Sequence, residues 1–267
     1  IHMTYLAALG TGGEQTLTLW VMITGYFTAY LFFVILKRFM VTNWAIAFMI
    51  IFLTTPAVVY GAGSGQVEVR NAGFALMAIF ATTEILRTRR IGFVFLAGLA
   101  AGFFVASKYT GLIFGVSCGC LMFLTENRLK YSSIFFGALI LAGFQWYGWN
   151  LITIGDPIFP LLYGWFDYFP NVPWNDGVQA DYRRMITEKV LPINLSGFIL
   201  YPIISTLFAP PEFESLRVGF GPVLILLLPF AMIAIWRHRV NISGHPLVMF
   251  GLSGMIFYAV WYFLGPT

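Results

Sequence analysis

Apolar stretches long enough to cross a lipid bilayer recur along almost the whole chain, and this repetition constrains the fold more than any other feature. A hydrocarbon core about 30 Å thick needs roughly 20 helical residues, or fewer where a span is broken or packed inside protein. Charged residues make up only 10 % of the chain, whereas soluble domains usually carry about 25 %. The sequence therefore predicts an all-α, polytopic transmembrane helical bundle.

We expect about eight spans within one transmembrane domain that covers residues 1–267. The chain begins Ile-His-Met without a basic segment before its first apolar stretch, so we expect a fragment rather than a chain with a signal peptide. The fourth and fifth spans are short. The predicted spans cover residues 17–36, 44–60, 69–86, 91–106, 111–124, 133–149, 218–236 and 246–264.

Basic residues occupy every second connection between the predicted spans, as the positive-inside rule expects of cytoplasmic loops. Because these residues form separate clusters and no continuous stripe, the net charge of +4 does not indicate nucleic acid. The acidic, proline-rich connections then face the other side of the inner (plasma) membrane, either the periplasm or the cell exterior. The basic clusters are Lys37 with Arg38, Arg87 with Arg89 and Arg90, Arg128 with Lys130, and Arg237 with Arg239.

The longest connection, residues 150–217, is too apolar and aromatic for a disordered linker. We expect an external, membrane-lying loop that contains short interfacial helices. Asn175 and Asp176 can cap one such helix, and Pro192 would stop it. Its predicted apolar side carries Val178, Tyr182, Met185 and Ile186.

Two charged residues near the external connections are candidates for chemistry. Glu68 follows a glycine-rich turn, and a carboxylate at the mouth of a bundle can act as a base, an acid or a cation ligand. The alternative is a loop carboxylate paired with Arg70. Lys108 lies between two short spans, where a recessed ammonium can hold a lipid phosphate, or can simply extend to the interface.

Three further candidates lie in or beside the long loop. Asp156, in the Gly-Asp-Pro-Ile-Phe-Pro turn at 155–160, can bind substrate or merely cap that rigid turn. Arg183 and Arg184 can recognise phosphate or carboxylate by paired hydrogen bonds, or can contact lipid headgroups generally.

The three histidines and two cysteines form no metal or triad pattern, so we expect no metal and no cofactor. Glu84 and Glu126 are expected to be solvated or paired surface charges near Arg87 and Arg128.

Four segments occur in an order and spacing that resemble one family. They are residues 54–68, which end in Gln-Val-Glu; residues 98–111, which end in Ser-Lys-Tyr-Thr-Gly; the turn at 155–160; and residues 219–229, with Gly-Phe-Gly-Pro and Leu-Pro. Together they resemble the polytopic, lipid-phosphosugar-dependent glycosyltransferases of the GT-C class. The most similar branch is the bacterial one related to protein O-mannosyltransferases and aminoarabinose transferases.

This resemblance implies transfer of a sugar from a polyprenyl-phosphate carrier to an acceptor at the non-cytoplasmic membrane face. Glu68 stands where the family usually has an aspartate; the resemblance makes it a second acidic group that lines the site, and we predict it to be catalytic. The family's principal acidic loop would precede Ile1, and its basic external motif would follow Thr267. We predict that Lys108, Tyr109, Arg70, Asp156, Arg183 and Arg184 bind substrate; of these, the resemblance itself places Lys108, near the lipid-facing side of the site.

Two other functions compete with the enzyme. The chain can be a non-catalytic membrane subunit of a larger complex, using its aromatic external loop as a contact surface for other membrane subunits. A transporter is less well supported, because no inverted repeat is visible and few ionisable residues lie at mid-span. In each case membrane lipid is an expected partner.

Overall fold

The computed structural model describes residues 2–64, 66–166, 168–186, 191–207, 221–238 and 246–264. These residues form α-helices, one short 3-10 helix and no strand, so the prediction of an all-α chain is confirmed for them. The helices are α1 (His2–Leu36), α2 (Thr42–Thr54), α3 (Pro56–Gly63), α4 (Glu68–Thr88), α5 (Ile91–Val105), α6 (Thr110–Cys120), the 3-10 helix Leu121–Leu124, α7 (Arg128–Thr153), α8 (Asp176–Ile186), α9 (Leu195–Leu207), α10 (Val223–His238) and α11 (Pro246–Leu264).

Two of the described helices are long and apolar enough to cross a membrane, namely Tyr5–Leu36 within α1 and Glu68–Thr88, which is α4. The pair α2 and α3, bent by 64°, makes a third if it is one broken span. Each of the eight predicted stretches overlaps a helix or this bent pair. The number of eight spans, which needs shorter helices to cross as well, stays a prediction.

The bend between α2 and α3 is made by Pro56, which takes the first position of α3. Proline at that position lacks an N–H that would have no helical partner anyway. The hydroxyls of Thr54 and Thr55 donate to carbonyl groups in the last turn of α2, at 2.8 Å to Ile50 O and 2.9 Å to Ile51 O. Extra donors at a break are what allow a helix to be interrupted in an apolar environment.

The chain divides into two compact units. Unit 1 comprises Ile1–Phe80 and Val190–Gly251, and unit 2 comprises Ala81–Lys189 and Leu252–Thr267. In unit 1, α1 and α4 approach closely because Thr28 Oγ1 donates to the Val69 carbonyl at 3.2 Å and Gly73 faces the same threonine. A Cβ atom added at Gly73 would lie 2.7 Å from Thr28 Oγ1.

Unit 2 is built around α5 and α7, which pack together most extensively. Gly98 and Gly102 lie one turn apart on α5, against backbone carbonyls of α7. A Cβ atom would come within 2.3 Å of Phe135 O at the first glycine, and within 2.5 Å of Leu139 O at the second. Such spaced small residues let helix backbones touch without any polar side chain, which is how helices associate in membranes.

Candidate functional site

The turn between α5 and α6 contacts the proline-rich turn that follows α7. The phenol of Tyr109 donates a hydrogen bond to the Phe159 carbonyl, although the two residues are 50 positions apart. The side-chain amide of Asn150, near the end of α7, donates to the Tyr109 oxygen at 3.4 Å. Residues 107–111 and 155–160, two of the segments that carry the family resemblance, therefore meet in unit 2.

Asp156 is fully buried within the proline-rich turn. One carboxylate oxygen accepts the backbone N–H of Ile158 at 2.8 Å, and the other accepts the phenol of Tyr168 at 3.1 Å. A carboxylate that bonds the backbone two residues on closes a local turn. The geometry thus gives Asp156 the turn-capping role that the sequence left open, and substrate binding by this residue stays a prediction.

Aromatic rings continue from the proline-rich turn to α8. The ring of Phe159 lies 4.8 Å from Trp174 and 5.3 Å from Tyr168, and Trp174 lies 5.8 Å from Tyr182 on α8. Trp174 also donates its indole N–H to the buried side chain of Gln179 at 2.7 Å. These four rings, which we call the aromatic cluster, attach α8 to the proline-rich turn.

Helix α8 begins as the sequence predicted, because the Asn175 side chain accepts the Val178 N–H at 3.1 Å and caps the first turn. The predicted apolar side of α8 is expected to face the lipid, and this stays a prediction. Val178 is exposed, whereas Gln179 is buried, since its amide has the indole of Trp174 as a partner. The side chains of Met185 and Ile186, and residues 187–190, lie outside the described part of the chain.

Exposed cations flank this part of unit 2. Arg183 and Arg184 are both exposed on α8, and Arg184 forms a 3.4 Å ion pair with the equally exposed Asp181. Lys108, directly before Tyr109, is exposed at the turn between α5 and α6, so the protein itself does not bury the ammonium. The arrangement presents positive charge beside neutral hydroxyl and aromatic groups, which suits an anionic group attached to an apolar body.

The tyrosines here are proton donors and not bases near neutral pH. Burial raises the pKa of Tyr109, with Asp156 adding to the effect. Burial also raises the pKa of Tyr168, which donates to the Asp156 carboxylate. A phenol whose pKa is raised keeps its proton more firmly, because the charged form is disfavoured both by low dielectric and by a neighbouring negative charge.

Glu68 and Arg70 belong to unit 1. Glu68 is the first residue of α4 and is exposed. Arg70 directs its guanidinium to Tyr5, donating to the phenol oxygen at 3.2 Å and lying 5.1 Å from the ring centre. Residues two positions apart on a helix do not face each other, so the helix does not favour the predicted Glu68–Arg70 pair. The remaining predicted site residues, Lys108, Tyr109, Asp156, Arg183 and Arg184, all belong to unit 2.

Sequence reasoning missed Asn150, Tyr168 and Trp174, which hold this site together. All three are neutral, and no motif distinguishes them from the other amide and aromatic residues of the sequence. The described residues contain no group of three or more His, Cys, Asp or Glu side chains that can hold a metal ion.

Comparisons with known protein families, with curated proteins and with solved structures find no match to this chain. The class of the protein is therefore stated from the described structure alone. It is an all-helical protein with two helices, or three with the bent pair, that are long and apolar enough to cross a membrane.

Proposed function

We propose that this chain is a multi-pass membrane glycosyltransferase, which moves a sugar from a polyprenyl-phosphate carrier to an acceptor on the non-cytoplasmic side. The observation that carries the proposal is the contact of Tyr109 with Phe159. Two segments that resemble the GT-C family separately are thereby joined into one surface with exposed cations.

Lys108, Arg183 and Arg184 supply the positive charge that this reaction requires. Negative charge develops on the lipid phosphate as the sugar leaves, and cationic groups close to it stabilise the transition state. Arginine can bind phosphate through two parallel hydrogen bonds, and lysine acts as a point charge. Tyr109, whose phenol is held by the Phe159 carbonyl, directly follows Lys108 in the turn between α5 and α6.

Glu68 is proposed as a second acidic group of the site that takes part in catalysis, by accepting a proton as the acceptor oxygen attacks the sugar. This assignment depends on the family resemblance alone. Arg70 and Asp156 are assigned no chemical step, because Arg70 is engaged with Tyr5 and Asp156 with its own turn.

The substitution Lys108→Ala tests the phosphate role in membrane vesicles supplied with polyprenyl-phosphate sugars, with released polyprenyl phosphate as the readout. Loss of one charged hydrogen bond of about 1.5–3 kcal/mol should raise KM for the donor roughly 10- to 150-fold. Lys37→Ala is the matched control, since Lys37 lies in unit 1 with its ammonium 5.6 Å from the Phe33 ring centre. An unchanged KM in Lys108→Ala would remove Lys108 from donor binding.

The substitution Glu68→Gln tests the catalytic assignment separately. The amide cannot accept a proton as the carboxylate does, so kcat should fall by roughly 10²- to 10⁴-fold while expression stays normal. Turnover equal to that of the unsubstituted protein would exclude Glu68 from the mechanism.

The proposed topology has eight spans, with residues 150–217 outside the cell. Asn171 is exposed in this loop, and a cysteine placed there in a cysteine-free background should react with a membrane-impermeant maleimide added to intact cells. Labelling only after the cells are opened would place the loop inside and reject this topology.

A non-catalytic membrane subunit is the second candidate, and the exposure of the aromatic loop favours it. Trp165 is 84 % exposed, and Phe166 and Phe169 are exposed as well. Such exposed side chains can form a contact surface for a partner protein. In that case Glu68→Gln and Lys108→Ala would both leave sugar transfer in the native membrane unchanged, whereas Trp165→Ala would release a co-purifying membrane protein.

A further inference from the structure

A second polar region lies at the opposite end of the unit 2 helices from Tyr109. The turn between α4 and α5 is joined to the turn before α7, because Arg89 forms a 2.5 Å ion pair with Glu126. The Tyr131 phenol on α7 also donates to the Arg89 carbonyl at 3.0 Å. Basic residues that are far apart in sequence are thereby collected on one surface.

Only part of the positive charge on this surface is neutralised by the protein. Arg87 pairs with the buried Glu84 at 2.8 Å, and Arg89 pairs with Glu126. The pairing of Glu84 was predicted, but this carboxylate is buried and not solvated, and Glu126 pairs with Arg89 and not with Arg128. Within the described residues, no ion pair or side-chain hydrogen bond engages Arg90, Arg128 or Lys130, which are all exposed. These three residues are called the basic patch below.

Helix stability does not explain the basic patch. Arg90 directly precedes α5, and Arg128 and Lys130 lie in the first turn of α7. Positive side chains at a helix N-terminus are unfavourable, because they add to the positive end of the helix dipole. Neither helix carries an acidic residue in its first turn that would offset them.

Apolar side chains border the basic patch and are themselves uncovered. Leu129, between the two cations of α7, is 76 % exposed, and Leu124 and Phe123 are 57 % and 53 % exposed. Alternation of cations with exposed apolar groups is the chemistry of a surface that places side chains in the acyl region and charges among headgroups. A soluble anionic partner would leave these apolar side chains in water.

We propose that the basic patch binds the headgroups of anionic phospholipids in the adjoining membrane leaflet. Clustered lysines and arginines next to apolar helices attract anionic lipids with about 1 kcal/mol for each cation near the surface. The site does not depend on the proposed sugar transfer, since it involves none of the residues assigned to that reaction.

The test uses the purified full chain in neutral detergent, titrated with phosphatidylglycerol or phosphatidylcholine. Native mass spectrometry counts the retained lipid, and the thermal unfolding midpoint reports stabilisation. The variant R90Q/R128Q removes two cations of the basic patch. The matched control K37Q/R38Q also removes two cations, which lie over the rings of Phe33 and Phe80 in unit 1.

We expect the unsubstituted protein to retain phosphatidylglycerol in preference to phosphatidylcholine. R90Q/R128Q should weaken this binding about thirtyfold, which is about 1 kcal/mol for each cation converted to an affinity ratio. The control should stay within about threefold, and the charge-preserving R90K/R128K should retain most of the binding.

Three results would overturn the proposal. They are equal binding of the two lipids by the unsubstituted protein, equal weakening by R90Q/R128Q and K37Q/R38Q, and unchanged binding in R90Q/R128Q. If R90Q/R128Q does not fold, the single variant K130Q decides, because Lys130 is exposed and outside the joined turns. We expect about fivefold weaker phosphatidylglycerol binding for K130Q, and no weakening would reject the site.

Discussion

Removing the Asp156 side chain should destabilise unit 2 because two hydrogen bonds depend on its carboxylate. Asp156→Ala deletes the acceptors of the Ile158 N–H and the Tyr168 phenol. Hydrogen bonds to charged groups contribute about 1.5–3 kcal/mol each. Part of that loss is offset, because the folded protein no longer has to bury a charge. We therefore expect the free energy of unfolding to fall by about 2–4 kcal/mol.

Asp156→Asn separates the turn-capping role from a chemical one. The amide oxygen can still accept the Ile158 N–H, and the amide nitrogen can donate to the Tyr168 oxygen, so the cost should be about 1 kcal/mol. If Asp156 instead binds substrate through its charge, Asp156→Asn should abolish donor binding with little change in stability.

The assay is reversible unfolding of the purified protein in mixed micelles by increasing denaturing detergent, followed by tryptophan fluorescence. Asp181→Ala is the control, because it removes an equally charged side chain from an exposed ion pair on α8. Exposed pairs of this kind contribute about 0–1 kcal/mol. An Asp156→Ala variant no less stable than Asp181→Ala would refute the structural role of this carboxylate.

Two further perturbations follow from the geometry of unit 2. Gly102→Ala should lower the free energy of unfolding by about 1–3 kcal/mol, since its Cβ would lie 2.5 Å from the Leu139 carbonyl. The control Gly137→Ala on α7, where a Cβ would meet nothing within 4 Å, should be neutral or stabilising in the same unfolding assay. Equal losses of stability in the two variants would contradict the close approach of α5 and α7. The second concerns pH, because the pKa of Tyr168 is raised in the folded protein. The stability that this phenol contributes is complete below its unfolded pKa of about 10 and falls as the pH rises toward the folded pKa. Tyr168→Phe should therefore reduce the fall of the unfolding midpoint at alkaline pH. An unchanged fall would exclude Tyr168 as its cause.

The positions of the helices could be predicted from the sequence because apolar length and helix caps are local signals. Asn175 at the start of α8 is an example, since its side chain caps the helix as its residue type suggests. The apolar helix α9 was not located, because its 13 residues are too few to cross a bilayer and include Pro202. The comparison of segment length with membrane thickness, which located the other helices, does not detect such a short segment.

The candidate site was only partly predictable because its contacts join distant parts of the chain. Charged residues such as Lys108 stand out in an apolar sequence, and they were predicted for that reason. Asn150 and Gln179 were not, because a neutral amide becomes informative only when its buried partner is known. Gln179 on α8 is the clearest case, since hydrophobicity alone cannot show that the indole of Trp174 donates a hydrogen bond to its side chain.

The length of α5 sets the distance between the basic patch and Lys108, which lie at opposite ends of this helix. The basic patch lies at the start of α5 and Lys108 follows its end, and 15 helical residues rise only about 22 Å. A hydrocarbon core is about 30 Å thick. If headgroups hold the basic patch in one leaflet and α5 crosses the membrane as proposed, Lys108 lies several ångströms short of the opposite headgroup layer. At that depth its long side chain reaches a lipid phosphate only by extending outward or by drawing the phosphate inward.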